Sequence, residues 1–190
     1  MPDREVRTYR DLINYQYAKL VARSAFRQSD GTAAKKAHYG FIKKTFRELR
    51  DGKKTWSDIE REDWQLVDAE RTCAYCGAAE RLSHEHLVAK SLRINDRCPT
   101  CDAIQSIHNQ VLACRRCNSE KGTKGLYEFT WLLHPDDRKH FDRIPPLVEK
   151  KYLKTIIQCL GCAGVLDQVP DVGRQISVLD LDEVLRAYCR

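Results

Sequence analysis

The chain has 190 residues, with 33 Lys and Arg against 27 Asp and Glu and a net charge of +6, enough for one domain or two small ones. With 42% hydrophobic residues, 9 Gly and 6 Pro it can bury a core, which excludes collagen-like, mucin-like and fully disordered chains. The most apolar stretch, Thr155 to Val169, is cut by Gln158 and Asp167 and the polar start MPDREVRTYRD lacks a signal-peptide core, so no membrane association and a cytoplasmic location are expected.

Charge is unevenly spread: residues 1–56 hold 14 Lys/Arg and 6 Asp/Glu, a net of +8, while the remainder nets −2. A first helix is expected over Asp11 to Gln28, where Leu12, Ile13, Tyr17, Leu20 and Val21 form a broad stripe that Ser29-Asp30-Gly31 then breaks. A second starts near Thr32. Its apolar positions Ala34, Ala37, Phe41, Ile42, Thr45 and Leu49 recur at three and four residues and leave the lysines on the other face. Lys35, Lys36, Lys43, Lys44, Arg47, Arg50, Lys53 and Lys54 are dense enough to suit a polyanion, or equally to form a solvated helix face. Ser57, three residues before Glu60, reads as a capping box that starts a helix toward Arg71.

From Cys73 to Leu133 periodicity gives way to chemistry. Eight of the nine cysteines form four Cys-x-x-Cys pairs: Cys73/Cys76, Cys98/Cys101, Cys114/Cys117 and Cys159/Cys162, with Cys189 left over. A reducing compartment does not favour structural disulfides, whereas two such pairs make one tetrahedral thiolate site, so eight ligands permit one or two zinc ions. Cys73-Ala-Tyr-Cys76-Gly77 reads as a zinc knuckle, and Cys114-Arg-Arg-Cys117 offers the matching half. Cys98/Cys101 and Cys159/Cys162, paired by elimination, would form a second zinc site; the alternatives are buried core thiols or two separate incomplete sites. Downstream, Pro145-Pro146 starts a helix through Val148, Tyr152, Thr155, Ile156 and Cys159, and Ile176 to Leu181 leads into a short helix ending near Tyr188.

Between the two halves of the first quartet stand Leu82-Ser-His84-Glu85-His86-Leu-Val and Asn109-Gln-Val-Leu-Ala-Cys114, and after it Asn118-Ser-Glu-Lys121-Gly122. Over roughly residues 70 to 125 this order of residue types resembles the zinc-containing HNH endonucleases. The resemblance implies an α+β fold, mainly helical around a central ββα-metal motif with a structural zinc held by four cysteines. With the charge and helix pattern on either side of it, three regions are expected: a basic N-terminal helical region over 1–56, a nuclease core with the zinc site over 57–134, and a C-terminal helical region over 135–190 that a second zinc would clamp.

By the same resemblance His86 is the general base, Glu85 and Asn118 are ligands of one catalytic Mg²⁺ or Mn²⁺, and Asn109 braces the loop that holds the histidine. Cys73, Cys76, Cys114 and Cys117 are the structural zinc ligands. The chemistry is consistent: a phosphodiester repels nucleophiles, so its hydrolysis needs a cation and a base near neutral pKa, while hard oxygen donors suit Mg²⁺ or Mn²⁺ and thiolates suit zinc. The acid is Glu85 where many family members have Asp, and Ala89 stands where they have Pro. His84 would share a strand face with His86 and reads as a ligand, a phosphate contact or a surface histidine.

The resulting expectation is a metal-dependent endonuclease that cuts DNA, as a restriction or anti-phage defence effector. Arg115, Arg116, Lys121, Lys124, Lys43 and Lys44 are the expected contacts to the phosphate backbone. One site cuts one strand, so double-strand cleavage requires a homodimer or two nicks. An unregulated nuclease would harm its host, which suggests a regulatory protein partner such as an ATPase. The alternative is a noncatalytic, zinc-stabilised nucleic-acid-binding module, for which Glu85, His86 and Asn118 would be dispensable.

Overall fold

A computed structural model describes residues 4–26, 32–56, 71–92, 102–137, 139–170 and 176–188. The chain is α+β, a mixture of helices with one small two-stranded antiparallel sheet. It divides into two compact units, one from the described residues of 1–57 and 166–178, the other from those of 58–165 and 179–190. Residues 135–165 and 179–190 thus fall in the second unit and 166–178 in the first. Among the described residues no helix is long and apolar enough to cross a membrane. The expected helix from Ser57 toward Arg71 lies almost wholly outside the described residues, as do Cys98, Cys101 and Cys189.

In the first unit, helix α1 (Tyr9–Ala25) packs on α2 (Thr32–Arg50). It begins two residues before the expected Asp11 because Thr8 and Asp11 form a reciprocal capping box: Thr8 Oγ1 accepts from the Asp11 N–H at 3.1 Å, and Asp11 Oδ2 from the Thr8 N–H at 3.2 Å. Tyr15 meets Phe46 edge to face at 5.6 Å. Trp56 stacks on Tyr17 at 4.0 Å, and its indole N–H donates to Asn14 Oδ1 at 3.1 Å, which satisfies a buried amide on the helix. The segment after Val165 closes on the start of α1, where the Arg10 guanidinium forms a two-pronged pair with Asp167 at 2.6 and 2.9 Å. The basic face of α2 carries its own counter-ions. Glu5 pairs with Lys43, Arg47 and Arg50, Glu48 with Lys44 and Lys54, and Asp51 with Arg50 and Lys53.

In the second unit strand β1 (Leu82–His86) leads through α3 (Asp102–Gln105) and a turn of 3₁₀ helix (Ile107–Asn109) to β2 (Gln110–Cys114). The strands pair antiparallel, with Leu82 opposite Cys114, Glu85 opposite Val111 and His86 opposite Gln110. Helix α4 (Arg115–Lys121) follows β2 without a linker, then come α5 (Leu126–Leu133), α6 (Pro146–Cys162) and α7 (Val178–Tyr188). Pro146 occupies the first turn of α6, where its missing N–H costs nothing. Leu126, Tyr127, Tyr152, Leu153, Ile156, Leu160, Leu181 and Leu185 are buried in the helical core.

Asp182 joins three of those helices. Its carboxylate accepts from the Glu128 N–H at 2.8 Å, capping the first turn of α5 from α7, and from the Tyr152 hydroxyl on α6. Gly125 makes this approach feasible, since a Cβ there would collide with the Asp182 carboxylate. Burial raises the pKa of the Asp182 carboxyl to about 7 against the opposing effect of those two hydrogen bonds. An acid whose folded pKa lies above its unfolded value of about 3.9 stabilises the fold below that value and loses its contribution as pH rises through about 7. Relative to wild type, Asp182→Asn should therefore gain thermal stability between pH 5 and pH 8. A difference in Tm between the two proteins that stays constant over that range would show Asp182 to be ionised throughout.

Candidate functional site

The site begins at a backbone turn. Gly77 has a φ of +75°, in the left-handed region that side chains disfavour, and its N–H reaches back to the Cys73 carbonyl at 2.9 Å. The Cys73 N–H donates to the Ala78 carbonyl at 2.8 Å, and the Ala74 N–H donates to Leu112 at 2.8 Å, which docks the turn on β2. Cys114 ends that strand as the N-cap of α4, and Cys117 lies in the helix's first turn.

The four sulfurs of Cys73, Cys76, Cys114 and Cys117 all lie within 4.8 Å of one another, and Cys76 Sγ is 3.7 Å from Cys114 Sγ. A tetrahedron of sulfurs about 2.3 Å from one ion has edges of about 3.8 Å, so this cluster could hold a metal and is compatible with structural zinc. None of the six described cysteines is in a disulfide. Three of the four are buried and Cys76 is exposed. The backbone N–H of Cys117 leads the groups that lower the Cys114 thiol to about 7, while burial pushes Cys117 up. Buried thiolates this close repel one another unless a cation neutralises them. Among the described residues this is the one group of three or more Cys, His, Asp or Glu placed to bind a metal.

The alternation of β1 separates its polar residues. Ser83 and Glu85 fall on one face, His84 and His86 on the other. Glu85 is only 5% exposed, and both its oxygens are engaged: Oε2 accepts from the Tyr75 hydroxyl at 2.6 Å, and Oε1 from Lys121 Nζ at 2.8 Å. Lys121, 0% exposed, also donates to the backbone carbonyl of His86 at 3.1 Å. Its ammonium is therefore directed inward. Burial, followed by the Glu85 charge, keeps the Tyr75 phenol protonated.

His86 is half-buried, with its Nε2 3.2 Å from the side-chain amide of Gln110 across the ladder. Burial first, then the positive charges of Lys90 and Lys121 and the neighbouring His84, lower its pKa from the usual 6.5, so the imidazole is neutral at pH 7. The residues just after it are held by Asn109, which is fully buried. Asn109 Oδ1 accepts from the Val88 N–H at 2.9 Å, its Nδ2 donates to the carbonyls of Val88 at 2.8 Å and Ile104 at 2.9 Å, and its own carbonyl accepts from the Leu87 N–H. A donor and an acceptor at Val88 fix the orientation of the amide.

Asn118 lies on α4 and donates through Nδ2 to Ser83 Oγ at 3.1 Å, which leaves the amide oxygen as a hard donor suited to a divalent cation. Glu85, neutralised by an ammonium, does not fit such an ion as it stands. Arg115 and Arg116 are exposed on α4, and Lys124 donates to the Glu120 carbonyl at 2.8 Å. His84 is exposed. On α6 Cys159 is buried and Cys162 exposed, while their expected zinc partners Cys98 and Cys101 lie outside the described residues. Lys43 and Lys44 belong to the first unit.

Sequence reasoning misses Tyr75, Gln110 and Lys151. Lys151 on α6 donates to the Gln110 carbonyl at 3.1 Å and braces the start of β2. Only Tyr75 leaves a signal, as an aromatic inside a Cys-x-x-Cys turn where solvated residues are common. No family model, curated protein or solved structure matches the chain.

Removing the metal from the purified protein with a strong zinc chelator should lower the Tm by about 10 °C or more, since the four sulfurs join the turn, the sheet and α4. An unchanged Tm after confirmed metal removal would rule out a structural metal. Asn109→Ala strands three buried backbone groups and should cost at least about 3 kcal/mol in urea denaturation; a loss below about 1 kcal/mol would show that the loop is held by other means.

Proposed function

We propose that the chain is a metal-dependent endonuclease of the HNH type that hydrolyses phosphodiester bonds in DNA. The observation that carries this reading is the neutral His86, held at the end of β1 beside a buried Asn109 clamp in a hairpin-and-helix unit joined by four cysteines. A structural thiolate site alone would require neither the clamp nor a histidine of lowered pKa.

In this reading the neutral imidazole of His86 takes a proton from water as the water's oxygen attacks phosphorus, and the bond to the 3′ oxygen breaks, the leaving 3′ oxyanion taking up a proton from solvent. Asn109 fixes the backbone on the far side of His86, so the imidazole need not find its position at the moment of reaction. Mg²⁺ or Mn²⁺ would supply screening of the phosphoryl charge, and the Asn118 amide oxygen is a donor that such an ion accepts. Arg115, Arg116 and Lys124 are the proposed phosphate contacts of the second unit, and Lys43 and Lys44 those of the first. A homodimer for double-strand cleavage, and a regulatory partner such as an ATPase in restriction or anti-phage defence, belong to the same proposal.

The burial of Glu85 against Lys121 favours a second reading, a noncatalytic nucleic-acid-binding module whose acid is purely structural. Cleavage of supercoiled plasmid separates the two. The wild type should nick in Mg²⁺ or Mn²⁺ and not in EDTA, and zinc-loaded His86→Ala should be slower by about a hundredfold or more. The rate should rise with pH below neutrality and level off near pH 7, because the lowered pKa leaves the base fully deprotonated there. A wild type that binds DNA without cutting it in either metal would favour the binding module, or an effector that cuts only with its partner.

A further inference from the structure

We propose that Lys121 is a positioning residue, the internal counter-ion that fixes Glu85 and the backbone of His86, and not a contact to nucleic-acid phosphate. The proposal deepens the nuclease reading, which it needs for what is being positioned. The lock itself has tests that do not involve cleavage.

Lys121 and Glu85 are both buried and 2.8 Å apart, and the same ammonium reaches the His86 carbonyl at 3.1 Å. One atom thus sets both the acid and the residue beside it. An ammonium so enclosed cannot reach phosphate without abandoning a buried carboxylate, which costs far more than one exposed phosphate contact returns. An apolar pair of similar volume would hold the fold as well or better. What the ionic pair adds is direction: the Nζ donors are aimed at two acceptors on adjacent residues of β1.

Both arms of the lock arise from the thiolate site. Tyr75, between Cys73 and Cys76, donates to Glu85 Oε2. Lys121 lies four residues after Cys117 on α4, one turn along the same face. The order of the cysteine cluster is thereby transmitted to Glu85 from the knuckle and from the helix. Tyr75 and the buried Cys73, Cys114 and Cys117 cluster with Phe129, which meets Tyr75 edge to face at 5.1 Å.

The experiment uses the full zinc-loaded chain, with Lys121→Met, Lys121→Arg and the double variant Lys121→Met/Glu85→Gln. Lys121→Met leaves Glu85 buried without a counter-ion and should lower the Tm by about 10 °C, and the double variant should recover most of that loss. An unchanged Tm in Lys121→Met would overturn the pair. The slope of log affinity for DNA against log salt should match wild type in the double variant; a slope reduced by about one would make Lys121 a phosphate contact and overturn the proposal. At a temperature where all variants are folded, Lys121→Met should lose kcat by at least about tenfold at unchanged KM, with partial recovery in Lys121→Arg. Wild-type kcat in folded Lys121→Met would reduce the lysine to a stabiliser of the fold. Failure of the wild type to cut at all would defeat autonomous cleavage, while the stability and salt measurements would still decide whether Lys121 is the counter-ion of Glu85.

Discussion

Two strands of five residues and a helix of seven are too short to be stable alone. In the second unit they are held by four sulfurs drawn from two segments with 37 residues between them in sequence. Cys73 and Cys76 anchor a turn, Cys114 closes the strand, and Cys117 fixes the first turn of the helix, so a single cluster sets the positions of three elements. Glu85 is reached from Tyr75 inside the knuckle, and β1 pairs along its length with the strand that ends in Cys114. A metal held by these four sulfurs would order the turn, the sheet and the helix together.

Much of this is legible in the sequence because cysteine spacing and helical periodicity are local signals. The Cys-x-x-Cys-Gly turn requires a left-handed glycine, and Gly77 has that conformation. The stripe through Phe41, Ile42, Thr45 and Leu49 lies on α2, and Pro146 marks the start of α6. Helix α1 starts two residues before the expected Asp11, because the Thr8–Asp11 box sets the boundary and the apolar stripe does not. Chain order suggests three successive regions, yet residues 166–178 return to the N-terminal unit. A backbone bond from Arg10 to Leu166 and an ion pair from Arg10 to Asp167 span about 157 positions, and no local pattern announces a pairing of that range.

Charge is harder to read than hydrophobicity. The lysines of the N-terminal region count fully toward a net charge, but in the fold Glu5 alone faces Lys43, Arg47 and Arg50. Exposed pairs of this kind contribute little to stability, although they lower the local potential that a polyanion would feel. The same difficulty affects Lys121. One turn after Asn118 on a short helix it reads as a surface cation, because sequence shows that two residues can share a helix face but not what that face packs against. The answer comes from Glu85, whose own placement depends on the strand's pairing partner.

Because side chains alternate along a strand, β1 could in principle pair one residue out of register, which would turn Glu85 outward and His84 or His86 inward. The apolar pattern of Leu82-Ser-His-Glu-His scarcely opposes that slip, since only its first residue is strongly hydrophobic. The buried ion pair opposes it directly. In a slipped register Lys121 would lose its carboxylate and Tyr75 its acceptor, leaving an uncompensated charge in the interior, at a cost of about 3–5 kcal/mol on the usual scale for broken buried pairs. An ion pair that an apolar pair could replace without loss of stability is thus the one that specifies which face of the strand each residue occupies. By holding Glu85 inside, it leaves His86 on the opposite face with a neutral imidazole, beside a loop that Asn109 has already fixed.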